Sequence, residues 1–470
     1  MKHNLFLIVT AIMIILPGIF TKFGKDRISE IDNRKLAEFE TAEGDTVFQK
    51  ADRVLEDRVG FREELITVNE VVTDTLFHKL VHPFYIYGRK GHLFTEWDLE
   101  TFQHMKPQEG YVEEFGAYIK SIRDYCESIG KQFVFVMPPN KESIYPEYYA
   151  EGYNIADGKS RSELVIEELK RLNTDVVYPK EEFLKLKENE VLYNKIFDVG
   201  HWNETGLFYA CRDMFALLDM RCGNIPELRE EDFKLRMKEE KYMLQSMQYK
   251  PDMVPLYEYK YNPMKNDAKS FYNDGIALAH NQYMYHGTDE ENRDKPRILV
   301  VEDSYFGQMD AYKFFYGKCS ELFMIHAMNE EDLEYYLSVI RPDIFIFECC
   351  ERGLEDDGLY SFNYVKKRLF TEGVNDDLFN VSKADPSEIG LEDSYIFVGK
   401  DREYVSISGD YPEGLKWPSI PAARVNGKWY FGHDEDFFNS DRRKVTFTFR
   451  VSDIEKSGNI EYYLIYQKRD

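Results

Sequence analysis

From about residue 110 the chain alternates between unbroken apolar runs and longer stretches whose apolar side chains recur every three or four positions. "GYVEEFGAYIKSIRDYCESIG" has the helical spacing and stops at Gly130, while "KQFVFVMPPNK" is apolar throughout until Pro138 and Pro139 close it. The alternation continues. "SRSELVIEELKRLN" predicts a helix, "TDVVYPK" a short strand, and "NETGLFYACRDMFALLDM" a long helix with Asn203 as its N-cap. After an irregular stretch over 221–295, "PRILVVEDSYF", "ELFMIHAM" and "PDIFIFECCER" predict three strands, with "NEEDLEYYLSVI" a helix before the last. Strands apolar on both sides and separated by helices predict an α/β fold with a parallel sheet covered on both faces. Sites in such sheets form beyond the carboxyl ends of the strands, where Ser304 and Arg352 fall.

The two ends of the chain have other patterns. Asn4 to Phe20 is an uncharged, mostly apolar run behind Lys2 and His3, which predicts a signal-anchor or signal peptide over residues 1–21. Either one puts the body outside the cytoplasm, as a single-pass membrane protein or a secreted one. Charged, helix-compatible sequence over 22–95 forms a juxtamembrane lead-in, ending in "YIYGRKGHLF", two short strands around a turn. The α/β pattern spans 96–375. From 376 to 470 the period falls to two in "KVTFTFRV", and "ARVNGKWYFG" carries an Asn-Gly hairpin signal, so a small C-terminal β module is expected.

Charge narrows the partners. A net charge of -25 excludes a nucleic-acid partner, since nothing would neutralise a phosphate backbone. Six cysteines in 470 residues make no disulfide framework and show no zinc spacing, so no metal is predicted. No Gly-rich phosphate loop suggests a nucleotide cofactor, and none is predicted. Trp417, Trp429 and Tyr430 in the tail are candidate sugar platforms, or ordinary β-module core.

Two stretches carry the chemistry. "VVEDSYF" places Ser304 directly after a buried strand, and "FDVGHWNETG" places Asp198 three residues before His201 at a helix start. A carboxylate orienting one imidazole nitrogen, with the other aimed at a hydroxyl, is the requirement of a Ser-His-Asp triad. The plainer alternative is a capping Asp and a half-buried His. Trp202 is expected to pack against His201, and His326 to be a packing residue.

"DVGHWNETG" resembles the Asp-x-x-His block of SGNH-type hydrolases, and "VVEDSYF" resembles their Gly-Asp-Ser block. The His block comes first here. That reversed order resembles the circularly permuted SGNH domain of alginate O-acetyltransferases and related exopolysaccharide acetyltransferases. "DNRKLAEFE", "RVGFRE", "GRKGHLF", "FVFVMPPNKESIYP", "LYNKIFDVGHW" and "RPDIFIFECCER" fit the same family in order, over about residues 30–355. Two departures stand out: the acid is one residue further from the His than is usual, and Glu302 replaces the usual Gly. The resemblance implies an O-acetyltransferase acting on a polysaccharide through Ser304, His201 and Asp198, with an acetyl-serine intermediate. A separate multi-pass membrane acyltransferase would hand over the acetyl group, and the N-terminal segment would hold the protein at that membrane. The resemblance places Arg352 near the site, where pairing with Glu351 or Asp303 is the plainer alternative; the backbone N–H groups of Ser304 and Tyr305 are the other candidate oxyanion donors, and Lys141 and Tyr145 line the cleft or serve helix capping and turn chemistry. A carbohydrate acetylesterase with the same triad, or a catalytically silent carbohydrate-binding or assembly protein, would fit the same residues.

Overall fold

The computed structural model describes residues 15–21, 28–29, 34–36, 46–77, 79–80, 85–95, 110–149, 158–240, 251–266, 285–326, 333–354, 379–389, 391, 395–398, 404–410, 419–431, 433–435, 444–450, 454 and 459–467. At its centre is a seven-stranded sheet. In chain order the strands are β1 (Gln132–Val136), β2 (Val176–Val177), β3 (Lys265–Asn266), β4 (Tyr285–Thr288), β5 (Arg297–Glu302), β6 (Glu321–His326) and β7 (Ile344–Glu348). Their spatial order is β2-β1-β7-β5-β6-β4-β3. The five strands from β2 to β6 are parallel, and β4 and β3 extend the β6 edge antiparallel.

Both faces of the parallel part are buried, as its strands' composition requires. Phe133, Phe135, Leu299, Val301, Phe345 and Phe347 turn to one face. There they meet helices α1 (Tyr111–Ser128), α2 (Arg161–Arg171) and α4 (Leu333–Ile340). Val134, Val136, Ile298, Val300, Ile344 and Ile346 turn to the other and meet α3 (Glu204–Cys222). The α3 N-terminus forms as the sequence predicts, with the Asn203 side chain accepting from the Thr205 and Gly206 N–H groups at 2.9 and 3.2 Å. Gly206 is required by a close approach: a Cβ there would lie 2.8 Å from the Leu192 carbonyl.

The stretch 221–295 is more regular than its sequence suggests. It contains β3, β4 and a hairpin of strands Phe233–Glu240 and Asp252–Tyr259. "FKLRMKEE" does alternate, but Leu235 and Met237 stay exposed, so no core pattern marks it. Further strands lie at Tyr85–Tyr87 and Leu93–Thr95, paired around a turn at Arg89–Gly91. Between 379 and 467 two four-stranded antiparallel sheets form. One includes a hairpin over Asn426-Gly427, both with positive φ (54° and 80°).

The expectation of an N-terminal membrane segment meets the limits of the described residues. Among these, no helix is long and apolar enough to cross a membrane, and Asn4 to Ile14 of the apolar run lies outside them.

The carboxyl ends of β1 and β7 are locked together by Glu351. Its Oε2 accepts from the Asn140 N–H (2.7 Å) and the Ser143 hydroxyl (2.5 Å), and its Oε1 from the Ser162 hydroxyl (2.9 Å) and the Tyr178 hydroxyl. Four donors from three segments converge on one buried carboxylate. Replacing Glu351 by Ala strands them, and at about 1–3 kcal/mol for each the loss should exceed 3 kcal/mol. Thermal unfolding tests this, and a Glu351→Ala protein as stable as wild type would remove Glu351 as the clamp.

Candidate active site

Past Val301, the apolar run of β5 gives way to buried Glu302 and Asp303, and the chain turns into a single helical turn, Ser304–Gly307. Asp303 fixes that turn. Its Oδ1 accepts from the Tyr305 N–H (2.8 Å), its Oδ2 from the Cys350 N–H beyond β7 (2.9 Å), and its own N–H donates to Glu348 Oε2 (2.6 Å). Two adjacent strand ends are thereby joined, and Ser304 stands at the head of the turn.

The second half of the site comes from the loop ahead of α3. Asp198 has a left-handed backbone (φ 47°), a conformation that Asp tolerates better than most residues. This turn sends the carboxylate back to His201: Nδ1 donates to Asp198 Oδ1 at 2.6 Å. The lone pair of Nε2 is then free to accept, and the Ser304 hydroxyl lies 2.8 Å from it. Trp202 holds the two halves together. It is fully buried, its indole N–H donates to the Tyr305 carbonyl at 2.9 Å, and its ring packs edge-on against Tyr305 at 5.4 Å.

Arg352 completes the arrangement. Nη1 donates to the Gly200 carbonyl (2.6 Å), the guanidinium rests 4.9 Å from the centre of the Tyr305 ring, and Nη2 donates to Ser304 Oγ (3.1 Å). Nη2 is also 3.0 Å from His201 Nε2. With the one Nε2 lone pair filled by the serine hydroxyl, the Nη2 proton belongs to Oγ, where it favours an alkoxide. The Ser304 backbone N–H has no acceptor among the described residues. The Ser304 N–H is therefore a donor open to an oxyanion, and Arg352, donating to Oγ itself, stands beside it.

Other residues singled out in the sequence have different places. The Tyr305 N–H is taken by Asp303, so it is no oxyanion donor. Its buried ring supports His201 (5.1 Å) and Arg352, and its hydroxyl donates to Asn140 Oδ1 at 3.1 Å. Lys141 does not line a cleft. Its ammonium is buried and donates to the carbonyls of Leu93 (2.8 Å), Asn194 (2.6 Å) and Lys195 (3.3 Å), and burial pulls its pKa down to about 7. Tyr145 is buried too, its hydroxyl accepting from the Leu192 N–H at 3.3 Å. Tyr430 is 5% exposed and packs on Phe449, which makes it core rather than a sugar platform. Trp417 and the side chain of Trp429 lie outside the described residues. Among the described residues no group of side chains could hold a metal ion.

Two features had no sequence signal. Asp252, at the start of the 252–259 strand, accepts the Ile196 N–H (2.8 Å) and the Phe197 N–H (3.4 Å) through Oδ2, gripping the loop just before Asp198. Lys141 holds the same loop from the other side. The second feature is the fate of Glu302. Its side chain is buried against Gly307, and burial together with Asp303 raises its pKa well above the carboxylate range. Glu348 is raised for the same reasons. Burial thus favours the uncharged form of both acids beside the serine.

The fold and these contacts define an α/β protein with serine, imidazole and carboxylate in a hydrogen-bonded series at the carboxyl end of a parallel sheet. No protein-family model and no curated protein matches the chain. Solved structures similar to it include PatB1 of Bacillus cereus (13% identity, TM-score 0.45, 59% of this chain and 100% of that one). The O-acetyltransferase domain of AlgJ from Pseudomonas putida is another (15%, 0.40, 61% and 100%). A third is AlgX of Pseudomonas aeruginosa (14%, 0.37, 82% and 95%).

Ser304 should react with a small sulfonyl fluoride, followed by intact mass. Asp252→Ala should slow that reaction about ten-fold or more by releasing the Asp198 loop, and Asp252→Asn, which keeps an acceptor oxygen, should restore it. Equal rates in all three proteins would detach Asp252 from the site. Glu302 binds a proton in the folded chain that the unfolded chain releases above about pH 4.5, so it removes stability as pH rises. Unfolding free energies of Glu302→Gln and wild type should diverge in the variant's favour as pH rises above about 4.5. Parallel curves would mean that Glu302 is ionised in the fold.

Proposed function

We propose that the protein is an O-acetyltransferase that acts on an exported or cell-surface polysaccharide, with Ser304 as nucleophile, His201 as base and Asp198 as orienting acid. The observation that carries the reading is the unbroken series Asp198 Oδ1, His201 Nδ1, His201 Nε2 and Ser304 Oγ, with separations of 2.6 and 2.8 Å across its two hydrogen bonds. The motif resemblance supplies the acetyl group and the glycan.

In the first half-reaction His201 takes the Ser304 proton as Oγ attacks the carbonyl carbon of an acetyl ester. Asp198 stabilises the imidazolium that forms. The carbonyl oxygen becomes an oxyanion and draws on the Ser304 N–H and Arg352, donors of a kind worth about 3 kcal/mol each. The tetrahedral species collapses, the leaving oxygen takes the proton from His201, and acetyl-Ser304 remains. A sugar hydroxyl then gives its proton to His201 and attacks the acetyl carbon, regenerating Ser304. Water in place of the sugar would make the same site an acetylesterase. The buried place of Glu302, packed against Gly307 where the uncharged acid is favoured, supports chemistry over a silent binding role. Acetyl delivery by a multi-pass membrane acyltransferase, and tethering through residues 1–21, belong to the same proposal.

Turnover of p-nitrophenyl acetate, with intact-mass detection of an acetyl adduct, tests it. Wild type should turn over and carry the adduct, Ser304→Ala should do neither, and Asp198→Asn should lose about three to four orders of magnitude in rate. Added oligosaccharides that collect acetyl groups would establish transfer, and release to water alone would establish an esterase. A wild type as inert as Ser304→Ala would sink the acyl chemistry altogether.

A further inference from the structure

The helix over Arg62–Phe77 has its polarity inverted. Leu65, Val68, Val72 and Leu76 fall within an arc of about 80° and are between 46% and 68% exposed, with Phe77 exposed at the end of the stripe. Glu70 and Asp74 point the other way, while Glu64, Asn69 and Thr75 are exposed beside the stripe. Glu70 is 3% exposed, and Asp74 accepts the Tyr87 hydroxyl at 2.7 Å, which turns that side of the helix towards the protein. A helix on a water-facing surface normally shows the reverse arrangement. An apolar stripe that a fold turns outwards marks a contact surface.

What covers the stripe is indicated by what sits at its foot. The apolar run Asn4–Phe20 reaches the helix there: the Gly60 N–H donates to the Pro17 carbonyl at 3.1 Å, and Phe20 packs on Phe61 at 5.0 Å. The approach is close enough to need a glycine, since a Cβ on Gly60 would lie 2.6 Å from the Pro17 oxygen. Ile15, Ile19 and Phe20 of the run are exposed as well, so the two apolar surfaces are neighbours.

We propose that Leu65, Val68, Val72 and Leu76 rest on the surface of the bilayer that receives the apolar run, so that the helix lies along the membrane. The inference rests on the reading of residues 1–21 as a membrane segment. It adds a second contact, about 24 Å long for a helix of 16 residues, which would fix how the body stands on the membrane rather than merely tether it.

The test uses the full chain with Cys222, the exposed cysteine, replaced by Ser. A bimane label is placed at Val72→Cys or, as a control, at Glu290→Cys, whose carboxylate is exposed. Each protein is reconstituted into phosphatidylcholine vesicles with and without nitroxide-labelled lipid. Both proteins should float with the vesicles, and the lipid nitroxide should quench the label at 72 several-fold more than the label at 290. If both float but the label at 72 is quenched by aqueous iodide as strongly as the control, the tether stands and the stripe proposal falls. If neither quencher reaches position 72, a protein partner or second copy covers the stripe, and the proposal falls as well. Failure to float would overturn the membrane segment and the stripe contact together.

Discussion

The site depends on Trp202. Two stretches 103 residues apart must place an imidazole nitrogen and a hydroxyl within hydrogen-bond distance, and neither is long enough to be rigid alone. The indole of Trp202 is wedged between them, donating to the Tyr305 carbonyl while its ring lies against Tyr305 and Phe306. His201 precedes Trp202 in the chain and Ser304 precedes Tyr305, so one buried aromatic contact sets the register of both neighbours. Such a contact is specific in direction as well as favourable, because the indole N–H needs an acceptor once buried.

Around that wedge, several backbone groups near the serine are taken up by buried carboxylates. Asp303 takes up the N–H groups of Tyr305 and Cys350, Glu351 takes that of Asn140 past β1, and Asp252 and Lys141 hold the loop that carries Asp198. The consequence is selective: the Ser304 N–H is left for substrate, beside an Arg352 that already donates to the serine oxygen. A site whose donors are fixed before the reaction does not have to reorganise during it. The concentration of acids at β5 and β7 serves the same end, since burial favours the uncharged forms of Glu302 and Glu348 and the Asp303 carboxylate oxygens are taken by backbone N–H groups.

Much of this was legible in the chain. Unbroken apolar runs gave away β1, β5, β6 and β7, because strands buried on both faces cannot alternate. The position of Ser304 past β5 and of Arg352 past β7 followed from where parallel sheets put their sites. What stayed hidden was of two kinds. The 233–240 and 252–259 hairpin and β4 had no burial pattern to expose them, and so neither did Asp252, whose role depends on a contact 55 residues away in sequence. The roles of Tyr305 and Lys141 were misjudged for a different reason. Proximity to a strand end places a residue near a site, but burial and hydrogen-bond saturation decide whether it faces that site, and both are properties of the folded chain.

The left-handed backbone at Asp198 joins two demands that are usually separate. The position needs a carboxylate for the imidazole and a side chain that accepts positive φ. Asn satisfies the backbone and forfeits the charge, whereas Glu keeps the charge and adds a methylene at a backbone angle that longer side chains resist. Gly fits the turn and carries no functional group at all. Aspartate is thus the one natural residue that answers both demands, and an evolutionary walk away from it has no intermediate that loses only half of the function. The loop is in this sense a dead end in sequence space: it can be kept or abandoned, but not gradually retuned.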